Sequence, residues 1–221
     1  MERIKIAERL FYIKSSENPL SADVGIFEGD EFMWIFDIGA DESVPISLNK
    51  IQKPKNAVIS HFHPDHMGNL GHAELENIYL GANTFKYAKC GTVVESDILF
   101  DDGEKIHIFP LPSSHAKGSI GMEIGDYAFL GDATYSTMKQ GRACYNASVL
   151  KEEIAVLKNL SAKFFLISHD EKFVRPKEEI IAELEEIYSK RDPKESYIWI
   201  KKSRLCRRDF LLFFKMTQKQ K

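Results

Sequence analysis

The chain has 221 residues, 43% of them hydrophobic and 29% charged, with a formal net charge of −3. Such a composition excludes global disorder and allows a sizeable core, and the charge exerts no pull toward nucleic acid or an anionic membrane. Three cysteines, Cys90, Cys144 and Cys206, lie far apart with no CxxC pair, which argues against a disulfide framework or a thiolate metal site and for a reducing compartment.

The N-terminal MERIKIAERL holds no continuous apolar run of the signal-peptide kind. No later stretch approaches the roughly 18 apolar residues of a membrane span. A cytoplasmic protein without membrane contact is expected. Val24–Phe27 and Phe32–Phe36 flank Glu28-Gly29-Asp30-Glu31 and predict a hairpin. Asn56–Ser60 is a short apolar strand. Ile98–Phe100 and Ile106–Phe109 are two more strands, split by Asp101-Asp102-Gly103. Ile120–Ile124 and Tyr127–Leu130 surround Gly125-Asp126 as a second hairpin. Leu150, Ile154 and Leu157 at helical spacing predict a helix over about 147–160, capped by Asn146 or Ser148. Phe164–Ile167 is a buried strand. A second helix begins near Pro176 and buries Ile180, Leu184 and Ile187 behind a solvated acidic face. From Tyr197 onward an edge strand and a docking segment are expected, with MTQKQK a frayed end. No repeat or Ser/Gly linker divides the chain, so 1–221 reads as one domain.

Three of the seven histidines crowd into Ser60-His61-Phe62-His63-Pro64-Asp65-His66-Met67-Gly68-Asn69, together with a carboxylate. Imidazole and carboxylate are the commonest non-thiolate ligands for zinc and related ions. The cluster directly follows a buried strand, where α/β proteins usually carry chemistry. His61 and His63, two apart on an extended segment, can point the same way. Pro64 is expected to stiffen the loop and Gly68 to let it turn tightly. Further along, His115 sits on a loop, His169 ends the strand FFLI, and Asp132 and Asp37 each follow an apolar run. A carboxylate at such a position is costly unless paired or bound to a cation. His107 reads as structural, His72 as a surface residue, Cys144 as a buried thiol and Lys117 as solvated.

HFHPDH resembles the HxHxDH signature of the metallo-β-lactamase-fold hydrolases. His115, Asp132 and His169 are similar in order and context to the later motifs of that family, and FDIGA to its first. The resemblance spans roughly residues 20–170, leaving a C-terminal helix and tail at 176–221. It implies an α/β fold, an αββα sandwich of two mixed sheets flanked by helices. It also implies two metal ions: His61, His63 and His115 on one, Asp65, His66 and His169 on the other, Asp132 bridging. Asp37 would hold the loops by hydrogen bonds. The mixed nitrogen and oxygen set suits zinc, with iron and manganese as further candidates. The family's flavin-linked di-iron oxidoreductases usually carry a glutamate where this chain has His63, which favours a zinc hydrolase.

The expected function is hydrolysis of a small-molecule ester, thioester or lactone by a shared hydroxide. Asp65 would orient that hydroxide or carry a proton. Tyr135, in an Asp-x-x-Tyr arrangement resembling that of the family's quorum-sensing lactonases, would reach toward the substrate. Glutathione-thioester hydrolysis is disfavoured because only about fifty residues follow His169 and a Cys-Gly-Arg-type segment is missing. β-Lactamase activity is disfavoured because many such enzymes place a cysteine where Asp132 stands. Two alternatives stay open: a phosphodiesterase or nuclease, suggested by Lys201-Lys202-Ser203-Arg204 with Arg207 and Arg208, and a non-catalytic metabolite sensor. The oligomeric state is left open.

Overall fold

The computed structural model describes residues 2–200. The chain begins with β1 (Ile4–Lys5), β2 (Leu10–Ile13), β3 (Ser16–Glu17) and β4 (Leu20–Ser21), then β5 (Val24–Glu28), β6 (Met33–Phe36) and α1 (Ser43–Leu48). Next come β7 (Lys55–Ile59), α2 (Pro64–Met67), β8 (Asn77–Leu80), α3 (Ala82–Ala88), β9 (Thr92–Val93), β10 (Ile98–Asp101) and β11 (Lys105–Leu111). The second half runs β12 (Ser119–Ile124), β13 (Tyr127–Gly131), β14 (Thr137–Lys139), β15 (Arg142–Asn146) and α4 (Ala147–Asn159). It continues through β16 (Phe164–Ile167), β17 (Val174–Pro176), α5 (Lys177–Ser189) and β18 (Tyr197–Trp199).

Two mixed sheets form the centre. One has the order β1-β2-β5-β6-β7-β8-β9, the other β10-β11-β12-β13-β16-β17. The first is parallel from β6 to β9, and the second contains the parallel pair β13–β16. Parallel strands need covering on both faces, and their residues show it. In β6, Trp34 and Phe36 point into the layer between the sheets, where they meet Ile108, Met122 and Phe129 of the second sheet. Met33 and Ile35 point the other way, onto Val44 and Leu48 of α1. On the far side, Ala128, Leu130, Phe165 and Ile167 pack against Leu150, Ile154 and Leu157 of α4 and Ile180 and Leu184 of α5. The result is the expected αββα order of layers. Each fully buried Ile, Leu or Phe contributes about 1.5–3 kcal/mol. The sheets approach closely enough for Phe36 and Phe129 to stack at 5.2 Å.

All the strands and both long helices read from the sequence are present. The helix at 147–159 is capped by Asn146, whose side chain accepts from the Ser148 and Val149 N–H groups, so Ser148 is the capped residue rather than the cap. Pro64 does not merely stiffen a loop; it opens the four-residue helix α2. Gly68 has an ordinary helical φ of −57°, not a turn conformation. Its need is for space, since a Cβ there would stand 2.6 Å from the Pro64 carbonyl oxygen and 3.1 Å from Ala40 Cβ. Asp102 is more than a turn residue: it accepts from the Glu31 and Phe32 N–H groups and from Trp34 Nε1. Of the expected C-terminal features, β18 pairs with β15 as an edge strand. The docking segment, the basic residues from Lys201 onward and MTQKQK lie outside the described residues.

Candidate metal centre

Four strand ends and one loop converge on one side of the sandwich. Asp37 follows β6, His61 and His63 follow β7, Asp132 follows β13 and His169 follows β16. Asp65 and His66 lie on α2, and His115 lies on the loop before β12. The chain turns sharply at three of these strand ends. Asp37 and His169 adopt left-handed φ values of 58° and 61°, costly for residues with a Cβ, and Gly131 does the same at 57°. A Cβ at Gly131 would come 2.7 Å from Ser60 Oγ, so glycine there also lets the two sheets' loops meet.

The seven residues form two groups, each offering ligand atoms within 4.8 Å of one another: His61, His63 and His115, and Asp65, His66, Asp132 and His169. Six of the seven are buried and His63 is half-buried. In the first group His63 Nδ1 is 2.7 Å from His61 Nε2 and 3.2 Å from His115 Nε2. In the second, His169 Nε2 is 3.1 Å from Asp65 Oδ2, and His66 Nε2 is 3.7 Å from the same oxygen. Asp132 Oδ2 stands between the groups, 3.3 Å from His66 Nε2 and 3.4 Å from His115 Nε2.

Behind these atoms a second set of polar groups fixes the rings. Asp37, wholly buried, accepts from the Ser60 N–H at 2.8 Å and from the Ser60 hydroxyl at 2.8 Å, and its Oδ2 is 2.7 Å from His66 Nδ1. The hydroxyl of Ser60, having given its one hydrogen to Asp37, can only accept from His61 Nδ1 at 2.9 Å. That assigns the His61 hydrogen to Nδ1 and leaves Nε2 bare toward the first group. His115 is treated alike, its Nδ1 donating to the Ser136 carbonyl at 3.2 Å. Fixing the outer nitrogen in this way is what a ligating imidazole requires. Asp23 clamps the last loop, accepting from the His169 N–H at 3.0 Å and the Ser15 N–H at 2.9 Å, while its own N–H donates to Ser168 Oγ.

With this geometry in view, no family model matches the sequence and no curated protein matches it significantly. Solved structures do match. An archaeal metallo-β-lactamase superfamily protein from Sulfolobus tokodaii aligns over 84% of this chain and 88% of its own, at 18% identity and a TM-score of 0.58. ETHE1 from Myxococcus xanthus aligns over 82% and 85%, at 18% identity and 0.61. The rubredoxin oxygen:oxidoreductase of Desulfovibrio gigas aligns over 86% of this chain but 62% of its own, at 11% identity and 0.68. The chain has the metallo-β-lactamase fold.

The buried centre of this metallo-β-lactamase fold is strongly polarised. Burial, reinforced by the neighbouring His66, holds His61 well below the usual imidazole range, so it stays neutral. Burial also opposes a charge on His66, but Asp132 and Asp37 outweigh it and raise His66 well above that range. Asp132 is the counterpart: burial alone would raise its pKa, yet His66 and then His169 hold it well below the carboxylate range. His66 Nε2 is sealed from solvent and faces only the carboxylate oxygens of Asp132, at 3.3 Å, and Asp65, at 3.7 Å, without a well-formed hydrogen bond to either. Convergent ring nitrogens with two carboxylates among them fit cations.

Beside the His169 loop lies a cavity of about 350 Å³, lined by Lys14, Ser15, Ser16, Glu17, Asp170 and Glu171 as well as His169. Tyr135 is half-buried at the same loop, its hydroxyl donating to the Ser168 carbonyl at 3.0 Å. His107 bonds Glu123 at 3.1 Å and lies apart from the centre, His72 is exposed, Lys117 is exposed and Cys144 is buried. Asp23 and Ser60 escaped the sequence reading. For Ser60 a signal existed, a hydroxyl at the junction of an apolar strand and a histidine cluster. For Asp23 there was only a carboxylate at the start of an apolar strand.

Proposed function

We propose that the protein is a dinuclear metal-dependent hydrolase acting on a small-molecule ester, thioester or lactone. The observation that carries this is Asp132, a buried carboxylate whose one oxygen faces both ligand groups within 3.4 Å. His61, His63 and His115 would hold one ion, Asp65, His66 and His169 the other, and Asp132 would belong to both. When bound, such ions would supply Lewis acidity and a water ionisable near neutral pH. A set of three imidazoles is one of the recurring catalytic zinc sets, which supports zinc over redox iron.

The chain's own residues then have these parts. Ser60, Asp37 and the Ser136 carbonyl keep the ligand nitrogens aimed inward. Asp65, at the edge of the second group beside His169, accepts a proton released at the centre. Tyr135 donates to the developing negative oxygen of the substrate after exchanging its bond to the Ser168 carbonyl. The cavity beside His169 accommodates part of the substrate. Among the described residues Cys90 and Cys144 are not joined to each other, and the wide cysteine spacing without a CxxC pair supports a reducing, cytoplasmic setting. Elemental analysis and a panel of lactones, thioesters and phosphodiesters on zinc-loaded protein test the reading. Close to two ions per chain and turnover of an acyl compound are expected. Failure to take up zinc would remove the basis of the proposal, and turnover of phosphodiesters alone would redirect it.

A further inference from the structure

His63 is the one member of the two ligand groups that is not buried, so solvent reaches the centre past its ring. Two aromatic side chains stand at that opening. The Phe62 ring meets the His63 ring nearly edge-on, centroids 4.9 Å apart. Tyr87 of α3 stacks on Phe62 at 4.9 Å with an interplanar angle of 16°. Tyr87 is nonetheless 64% exposed, and Phe85 on the same helix is 38% exposed.

The position of these rings is enforced. On α3, Thr84 is buried completely, and Ala88 packs on the apolar layer beneath. Asn83 Nδ2 donates to the Lys117 carbonyl at 3.0 Å, two residues from His115. Gly81, just before the helix, lies so close to the Gly118 carbonyl that a Cβ would collide with it. The helix is therefore fastened to the loop that carries His115, which holds the backbone of Tyr87 beside the opening. The cation on this turn, Lys86, is turned to Asn83 Oδ1 at 2.8 Å. An ordinary solvated helix would carry polar side chains here; a stacked pair of rings open to water beside the candidate centre is an apolar surface able to take a ligand.

We infer that Phe62 and Tyr87 form an apolar step on which the uncharged acyl or aryl group of the substrate rests while its carbonyl faces the centre. The inference deepens the hydrolase reading and rests on it for the word substrate. It assigns the substrate class as esters, thioesters or lactones with an extended apolar acyl part, in preference to short or charged ones.

The test uses the zinc-loaded full chain and inert probes, so that binding is read without turnover. Saturation-transfer NMR with ethanol, n-hexanol and benzyl alcohol measures affinity directly. A fully buried methylene is worth about four-fold in affinity, and a step that covers one side about two-fold. From ethanol to n-hexanol a gain of more than about ten-fold is therefore expected. Tyr87→Ala removes the gain, Tyr87→Phe keeps it, and Leu99→Ala, at an exposed apolar residue on β10, keeps it too. Thermal melting and metal content verify that the variants are folded and loaded. No gradient in the wild type, or a gradient that survives Tyr87→Ala, would overturn the inference. A second arm measures kcat/KM on esters of increasing acyl length. No turnover of any ester with the binding gradient intact would sink the hydrolase reading and leave the apolar step standing as a binding surface.

Discussion

Asp132 and Glu153 are both fully buried carboxyl groups, yet the molecule treats them in opposite ways. Asp132 follows β13 among imidazoles, and the charge on His66 beside it holds its pKa well below the carboxylate range. Glu153 lies on α4 within the layer that packs α4 and α5 on the second sheet, where both carboxyl oxygens lack a hydrogen bond and burial alone pushes its pKa well up. The same functional group at the same depth is held as an anion in one place and as a neutral acid in the other. Burial therefore does not identify a site; what distinguishes the centre is the company of opposite charge and convergent nitrogen atoms.

Substitution should separate the two positions most sharply at Asp132. Asp132→Ala removes the oxygen shared by both groups, and metal content is expected to fall from about two ions per chain to fewer than one. Activity should fall by more than about 10²-fold, because losing even an outer hydrogen-bonding partner costs 10–100-fold. Plasma emission spectrometry and turnover check both, with His107→Ala as a control expected to keep its metal. Equal metal loss in that control would break the contrast between the centre and the rest of the molecule.

Asp37→Asn is the next largest. It keeps the shape but weakens acceptance from Ser60 and His66, and a loss of metal affinity of about 10–100-fold is expected in competition with a chelator. An affinity unchanged from wild type would show that Asp37 braces the loops without tuning the ligands.

At Glu153 the expected sign is the reverse, since removal should help. Glu153→Met fills the same space without an unmet polar group and should stabilise by about 1–3 kcal/mol in urea unfolding at neutral pH. The pH dependence follows from the raised pKa. Below the ordinary unfolded value of about 4.3 both states are protonated and the group has no effect. As pH rises above that value the unfolded chain gains charge freely while the folded one cannot, so stability falls until the folded pKa is passed. Glu153→Gln cannot titrate and should flatten that decline. A wild-type curve parallel to that of Glu153→Gln from pH 5 to 9 would refute a neutral buried acid.

Tyr135 joins the two regions: its ring rests on the layer that contains α4, and its hydroxyl reaches the Ser168 carbonyl beside His169. Tyr135→Phe should keep its metal and lose about ten-fold in turnover, less than the 10²–10³ typical of a sole oxyanion donor. A rate within about two-fold of wild type would mean that the hydroxyl serves only to hold the Ser168 carbonyl.

What could be read in advance follows the range of the interactions. HFHPDH was legible because one strand end and one short helix present its four polar side chains locally. Asp132 and His169 were legible because each ends an apolar run, and His115 because it stands on a loop between an apolar strand and a glycine turn. Asp23 was not, since its bond to the His169 N–H joins residues 146 apart in the chain. Glu153 was invisible for a related reason. A glutamate amid helical charges reads as solvated, and only the packing around α4 removes it from water. Helix α3 and the Phe62–Tyr87 stack were missed because GANTFKYAK has no strong periodicity and its partner ring comes from the motif itself.

The tie between Asp23 and Ser168 also sets an order of events in folding. Asp23 N–H and Ser168 Oγ are 145 residues apart in the chain, and the residues they brace stand on opposite sheets. A contact of that span is expected to close after the local hairpins β5–β6 and β12–β13 have formed. Competence to bind metal should therefore appear in the last refolding phase, after most of the circular-dichroism signal has returned. A stopped-flow experiment with a zinc-sensitive dye in the refolding buffer would show the two signals separated in time.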